Sequence, residues 1–284
     1  MITVFGATGT TGAPLVDTLL EKGADVRAVT SDPSKLQKLR DKGCEAVTAD
    51  FTDPATLQSA CAGAESIYLV TPAHRDMRAW KSNAIKAAQT TGVRHVVMGT
   101  GLGASPEARL TLGQWHSENQ EELKQTGMDW TFVQPTYFMQ NLLWQAETIA
   151  KDGVYHDELG GPAAWVDARD IADVAAAALT GSGYEGKALG LTGPEALAGE
   201  DIAAVLSEAT GRSVTCAPVL ADDSKATMIA SGMHEEIAAA MVELASIAPR
   251  GYLAGIETTV SDVLGRPARR LADFIAENRD AFVA

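Results

Sequence analysis

Three glycines near the amino terminus carry the clearest chemistry in the chain. Gly6-Ala7-Thr8-Gly9-Thr10-Thr11-Gly12 has the spacing G-x-x-G-x-x-G. It follows Met1-Ile2-Thr3-Val4-Phe5, a short β-branched apolar run that reads as a buried strand. It precedes Ala13 to Lys22, where Leu15, Val16, Leu19 and Leu20 fall on one helical face. In that context each glycine has its own task. Gly6 permits the tight turn off the strand, Gly9 lets the backbone approach a pyrophosphate, and Gly12 lets the helix pack closely on the sheet. The amino end of the helix adds free N–H groups and a positive dipole end. The segment predicts dinucleotide binding, with Thr8, Thr10 and Thr11 as further contacts. The alternative is an ordinary glycine-rich turn, and the βα units that follow weigh against it.

The next candidates lie at the ends of the following strands. In an open parallel sheet, ligands sit beyond the carboxyl ends of the strands. Asp25 to Thr30 reads as the second strand. NAD-binding folds place an acid at its end to hold the ribose hydroxyls, whereas NADP-binding folds offer hydroxyls and cations to the 2′-phosphate. This chain has Thr30 and Ser31 there, then Asp32-Pro33-Ser34-Lys35. Ser31 and Lys35 favour NADP(H), and Asp32 leaves NAD open. Alternatively, Ser31 and Ser34 simply start and cap a helix from Lys35 to Lys42. Cys44 to Ala49 reads as the third strand and Ser66 to Val70 as the fourth, so Asp50, Phe51, Thr71 and Pro72 are expected beside the cofactor. A helix from Trp80 to Gln89 stops at Gly92, and Arg94 to Met98 is the fifth strand, followed by the loop Gly99 to Gly103.

Composition narrows the class. The chain has 284 residues, 46% of them hydrophobic and 21% charged, as expected for a globular protein of one large domain or two lobes. A net charge of −14 argues against nucleic-acid binding, which needs a basic face. Cys44, Cys61 and Cys216 have no C-x-x-C spacing, so no metal site is expected and the thiols suit a reducing compartment. No apolar stretch is long enough to span a membrane, and no basic leader precedes the first strand. These features predict a cytoplasmic protein without membrane partners, acting as a monomer or homodimer.

The glycine fingerprint, the βα repeats and the stretch from His95 to Leu143 together resemble the NmrA-like branch of the atypical short-chain dehydrogenase/reductases, of the NAD(P)H:quinone reductase and triphenylmethane reductase type. The carrying residues include Trp115-His116, Leu123 to Pro135, Phe138-Met139-Gln140-Asn141-Leu142-Leu143, Val166 to Ala172 and Leu191 to Glu195. The resemblance implies that the turn after the sixth strand, Trp130 to Gln134, passes close to the nicotinamide. Pro135 then borders the cofactor, and Tyr137, Phe138, Met139 and Asn141 line a substrate pocket that extends the core. Trp165, with Trp115 and Trp144, is expected beside the same cleft.

The chain departs from the wider superfamily in one respect. Ordinary short-chain reductases use the tyrosine of a Tyr-x-x-x-Lys pair as proton donor, and none of the five tyrosines here has a lysine four residues later. Counting by the helix pattern places Leu112 at the tyrosine position and His116 at the lysine position. Thr100 stands at the serine-like position. His116 and Thr100 are therefore the catalytic candidates, with histidine as a general acid near neutral pH.

The expected fold is α/β: a Rossmann doubly wound parallel sheet with a smaller carboxyl-terminal α/β substrate lobe. Residues 1–135, completed by a returning strand at 163–166 and the segment to 192, would form the dinucleotide lobe, and 136–284 mainly the substrate lobe. Ala221 to Ala248 is expected to be a methionine-bearing helical stretch interrupted at Gly232. Two functions follow. One is NAD(P)H-dependent reduction of a ketone or quinone on a small aromatic substrate, such as a polyketide-type metabolite. The other is a non-catalytic NAD(P)-binding redox sensor acting through a protein partner.

Overall fold

Short β-branched runs alternate with amphipathic segments along most of the chain, and each becomes a strand or a helix. The computed structural model describes residues 1–283; Ala284, the last residue of the expected second lobe, lies outside them. In order the elements are β1 (Ile2–Val4), α1 (Gly12–Glu21), β2 (Val26–Thr30), α2 (Leu36–Arg40), β3 (Glu45–Thr48), α3 (Pro54–Cys61), β4 (Ser66–Leu69), α4 (Met77–Thr91), β5 (His95–Gly99), α5 (Thr111–Lys124) and β6 (Asp129–Pro135). They continue with α6 (Ala146–Asp152), β7 (Val154–Asp157), α7 (Ala168–Thr180), β8 (Lys187–Leu191), α8 (Gly199–Thr210), β9 (Thr215–Pro218), α9 (Ala221–Ala230), α10 (Glu235–Ala245), α11 (Thr259–Leu264) and α12 (Leu271–Glu277). No helix among the described residues is long and apolar enough to cross a membrane.

The main sheet has seven strands in the order β3-β2-β1-β4-β5-β6-β8. The pairings from β3 through β6 are parallel, with Val4 beside Ala28 on one side and Tyr68 on the other. The strand order reverses direction between β1 and β4. This is the Rossmann arrangement, and its crevice opens beyond the ends of those two strands. The helices that cover one face are held by a core of Phe5, Leu57, Ile67, Leu69, Ile85, Met98 and Phe132, all buried. Burial of such side chains is the main force holding helix to sheet.

The chain divides into two compact units. One comprises Met1–Arg109, Gly113–Gln134 and Ile171–Leu189; the other comprises Leu110–Leu112, Pro135–Asp170 and Gly190–Ala284. The second has its own core, in which Met139, Leu142, Tyr155, Trp165, Leu206 and Phe274 are buried. Its two-stranded parallel sheet joins β7 to β9.

Two local readings change and a third holds. The expected strand at Ala163 to Val166 makes only isolated bridges, to Leu197 and Phe138. The N–H groups of Ala163, Ala164 and Val166 go to the carbonyls of Leu197, Leu253 and Tyr137, three separate segments, so no ladder forms. The expected helix from Lys35 begins as a 3₁₀ turn, Pro33–Lys35, and its cap is Asp32 rather than a serine. The Ala221 to Ala248 stretch is indeed broken, with Gly232 at φ +95° between α9 and α10.

Candidate active site

The glycine loop has the shape its spacing demanded. Gly6 adopts φ +70°, a left-handed conformation that favours glycine. A Cβ on Gly6 would lie 2.8 Å from Val70 Cγ1. At Gly12 a Cβ would fall 2.1 Å from the Gly6 carbonyl oxygen, so α1 begins directly against the turn. Gly9 N–H donates to the same carbonyl at 2.9 Å. Thr8, Gly9 and Thr10 are exposed at the crest, whereas Thr11 is buried beneath it. The Thr11 hydroxyl accepts a hydrogen bond from Tyr68 at 3.1 Å, which ties the loop to β4. No side chain caps the amino end of α1. The loop thus presents exposed backbone and an uncapped helix terminus, the features that bind a pyrophosphate.

At the end of β2, Asp32 is occupied. Its carboxylate accepts from the Ser34 N–H at 2.9 Å and the Ser34 hydroxyl at 2.6 Å, and these bonds hold its pKa below the usual carboxylate range. Ser31 and Lys35 are exposed in the same turn, with Lys35 Nζ 3.9 Å from Asp32. Asp50 is likewise engaged locally, by the N–H and hydroxyl of Thr52. Phe51 packs on Phe5 and stacks on Trp80, whose ring stacks in turn on His74. At the end of β4, Pro72 is exposed, and the buried Thr71 hydroxyl has no partner among the described residues. An orphaned hydroxyl at the switch point is an open hydrogen-bonding position for a ligand.

Beyond β5 three polar side chains converge on Gly99-Thr100-Gly101. Thr100 is buried, and its hydroxyl accepts from Gln120 of α5 at 3.0 Å. His116, also on α5, lies against Gly101: a Cβ there would sit 3.3 Å from His116 Cδ2 and 3.6 Å from Nε2. The third group is Lys81 of α4, which is 1% exposed. Its ammonium donates to the Gly99 carbonyl at 2.9 Å and lies 3.3 Å from His116 Nδ1. No carboxylate lies within ion-pair distance of it among the described residues. Burial pulls the Lys81 pKa down to about 7. Burial, and then the Lys81 charge, hold His116 well below the ordinary histidine range. Near pH 7 its ring is therefore neutral. A neutral imidazole still has one N–H to donate, and the Lys81 ammonium beside it holds a second proton.

Sequence reasoning passed over Lys81. The signal was present, because Met77, Lys81, Ala84, Ile85 and Ala88 share the buried stripe of α4. A lysine on such a stripe is buried by the helix period itself.

In the second unit, Pro135 ends β6. The Tyr137 ring meets Trp165 edge-on at 5.0 Å. Phe138 bridges Val166, and the N–H of Met139 donates to the Val166 carbonyl, so this turn is fixed by main-chain bonds. Asn141 is half-buried and Met139 fully buried. Burial raises the pKa of the Tyr137 hydroxyl, which leaves it protonated. Trp165 is buried with its Nε1–H unpartnered among the described residues. Trp144 is 79% exposed and has no place in a buried pocket wall of this unit. Trp115, in the first unit, carries the Arg78 guanidinium over its ring at 5.1 Å.

Two observations fit a dinucleotide: the Gly6–Gly12 cradle that a single Cβ would fill, and the orphaned Thr71 hydroxyl beside it. Similarity to known proteins agrees. Residues 6–181 match the NAD(P)H-binding family. The chain is 43% identical to an NAD(P)H azoreductase of Xenophilus azovorans over all of both chains. It is 35% identical to a (4-alkanoyl-5-oxo-2,5-dihydrofuran-3-yl)methyl phosphate reductase of Streptomyces griseus, over 99% of each. Among solved structures, the NADPH complex of the quinone oxidoreductase QOR2 from Escherichia coli superposes with a TM-score of 0.88 at 27% identity, covering 98% of this chain and all of that one. The chain belongs to the NAD(P)H-binding family, in the NmrA-like group of atypical short-chain dehydrogenase/reductases.

Proposed function

We propose that this NAD(P)H-dependent oxidoreductase uses NADPH to reduce a flat conjugated acceptor, a quinone, an aromatic ketone or an azo compound, without a tyrosine proton donor. The observation that carries the reading lies within one unit. The same sheet edge holds a dinucleotide cradle and, beyond β5, the polar group of Lys81, His116 and Thr100. The azo class enters from the 43% identical relative, and the quinone class from the structural neighbour.

The Gly6–Gly12 loop and the amino end of α1 would hold the pyrophosphate, and Thr71 would supply a further hydrogen bond. The exposed Ser31 and Lys35 suit a 2′-phosphate, and Asp32 is engaged as a cap through its Oδ1 bonds to Ser34. When bound, the cofactor supplies a hydride. The chain's own part is to stabilise the charge that develops on the acceptor. A neutral His116 donates from a desolvated position, where a fixed donor is worth more than in water. Tyr137, Phe138, Met139, Asn141 and Trp165 are the proposed substrate-side residues, with the Trp165 N–H free to meet an acceptor atom.

The test is NADPH oxidation by the purified protein against quinones, aromatic ketones and azo compounds, with products identified by mass. The expected result is oxidation tied to a two-hydrogen gain. NADPH should be preferred over NADH by about tenfold or more, the scale of one charge-assisted contact. His116→Ala should lower turnover roughly 10²-fold with cofactor affinity kept, as for loss of one oxyanion-type donor. No turnover on any acceptor, with tight cofactor binding, would overturn the reading and leave a redox sensor. Such a sensor would bind the oxidised and reduced cofactor with clearly different affinity.

A further inference from the structure

We propose that Lys81 is a positioning residue and proton reservoir: it fixes His116 as the Nε2–H tautomer and returns, through His116, the proton that the acceptor takes. The inference rests on the reading of this edge as the reduction site.

The geometry begins with the directions of the hydrogen bonds. A lysine ammonium has three donors and no acceptor. One N–H goes to the Gly99 carbonyl at 2.9 Å. The contact at 3.3 Å to His116 Nδ1 can then be a hydrogen bond only if Nδ1 carries the lone pair. The ring proton is forced to Nε2, the nitrogen lying 3.6 Å from where a Cβ on Gly101 would stand. Gly101, with no side chain of its own, leaves room beside that nitrogen, which a Cβ would crowd.

The surroundings isolate the pair. Tyr68 of β4, whose hydroxyl would stand 3.3 Å from a Cβ on Gly99, keeps its proton, since burial pushes its pKa up to about 12. At the exposed edges of α4 and α5, Arg78 pairs with Glu118, and Lys86 with Glu122. None of the ion pairs formed around it takes in Lys81. Burial loosens its proton to a pKa near 7, where ammonium and amine are both populated at neutral pH.

The proton step balances without any further reactant. The reduced nicotinamide, when bound, would supply a hydride, one hydrogen with its electron pair, so the acceptor needs one further proton. The Nε2–H bond breaks as an O–H or N–H bond forms on the acceptor heteroatom. Nδ1–H forms as one Nζ–H bond of Lys81 breaks. Lys81 is left as a neutral amine and His116 as the Nδ1–H tautomer; a proton from water then re-forms Nε2–H while the Nδ1 proton returns to Lys81 Nζ, which restores the starting state. A relay of this kind does for the chain what the absent tyrosine does elsewhere.

The test compares wild type with Lys81→Met and Lys81→Gln by two readouts. The first is ¹⁵N NMR of the histidine rings in the protein without cofactor. Wild type below pH 7 should show an unprotonated Nδ1 and a protonated Nε2 on His116. Lys81→Gln keeps an N–H donor and should keep that tautomer. Lys81→Met should give a tautomer mixture and move the His116 titration upward toward the ordinary range, because the nearby cation is gone. The second readout is the pH profile of kcat. In wild type it should fall as pH rises through about 7, while both variants lose that limb and turn over about 10²-fold more slowly. A protonated Nδ1 in wild type would overturn the proposal, as would an unchanged pH limb in Lys81→Met. A wild type that reduces no acceptor removes the function as well as the relay. Normal turnover with the pH limb intact in both variants removes the relay alone.

Discussion

Gly12→Ala is expected to abolish NADPH binding. The added Cβ falls 2.1 Å from the Gly6 oxygen and 2.7 Å from the Gly6 carbon, both backbone atoms that no rotamer change can move. α1 must then shift off the turn, and its amino end leaves the phosphate position. Loss of several backbone contacts to a pyrophosphate should weaken binding by more than ~100-fold, or about 3 kcal/mol. Overpacking should lower stability by a further ~1–3 kcal/mol. Gly9→Ala is the graded control, because its Cβ would stand 3.3 Å from the same oxygen and needs only a small adjustment. Fluorescence titration with NADPH measures both. Equal affinity for Gly12→Ala and wild type would mean that the cofactor does not use this helix end.

Asp170→Asn is expected to cost about 3–5 kcal/mol of stability with no direct effect on chemistry. Asp170 is 0% exposed in the first turn of α7. It accepts from the Arg269 main-chain N–H at 2.7 Å, pairs with the Arg269 guanidinium, and pairs with Arg266 at 2.8 Å. The carboxylate therefore fastens the segment before α12 to the start of α7. An amide keeps the shape, but it loses the charge and turns an acceptor into a donor facing two guanidinium groups. The midpoint of urea unfolding is the measurement, and a shift worth less than about 1 kcal/mol would mean the site is solvated in solution.

The nucleotide unit was legible because its signals are local. Val26, Ala28 and Val29 announce a strand, Pro54 and Asp53 a helix start, and Gly92 a helix end, each within a few residues. The second unit spoke less clearly. β7 is Val154-Tyr155-His156-Asp157, four residues of mixed polarity that become a strand only because β9 lies beside them. Ala163 to Val166 has strand-like composition, yet its N–H groups are drawn to three different segments, which composition cannot foresee. The site divides in the same way. Gly6, Gly9 and Gly12 were readable from spacing. His116 was readable from its helix register, but not its neutral state, which comes from burial and from a lysine 35 residues away. Asp32 reads from sequence as either cap or ribose ligand, and the bonds from Ser34 show the cap.

The buried Lys81 has a thermodynamic consequence of its own. In the unfolded chain its amine holds a proton up to about pH 10.4, whereas in the folded protein it lets go near pH 7. Between those values the unfolded state binds more protons, so folding stability must rise with pH there. The full penalty, on the order of 5 kcal/mol, applies below pH 7 and fades as the amine becomes neutral. Between pH 7 and 8, below the range where the buried thiols and tyrosines oppose the trend, the Lys81 contribution to proton uptake on heat unfolding should grow from about half a proton to nearly one. Calorimetry in buffers of different ionisation enthalpy reads that uptake directly, and Lys81→Met should erase it while raising the transition temperature at neutral pH. The chain would thus be a protein that gains stability when it loses the residue its turnover depends on.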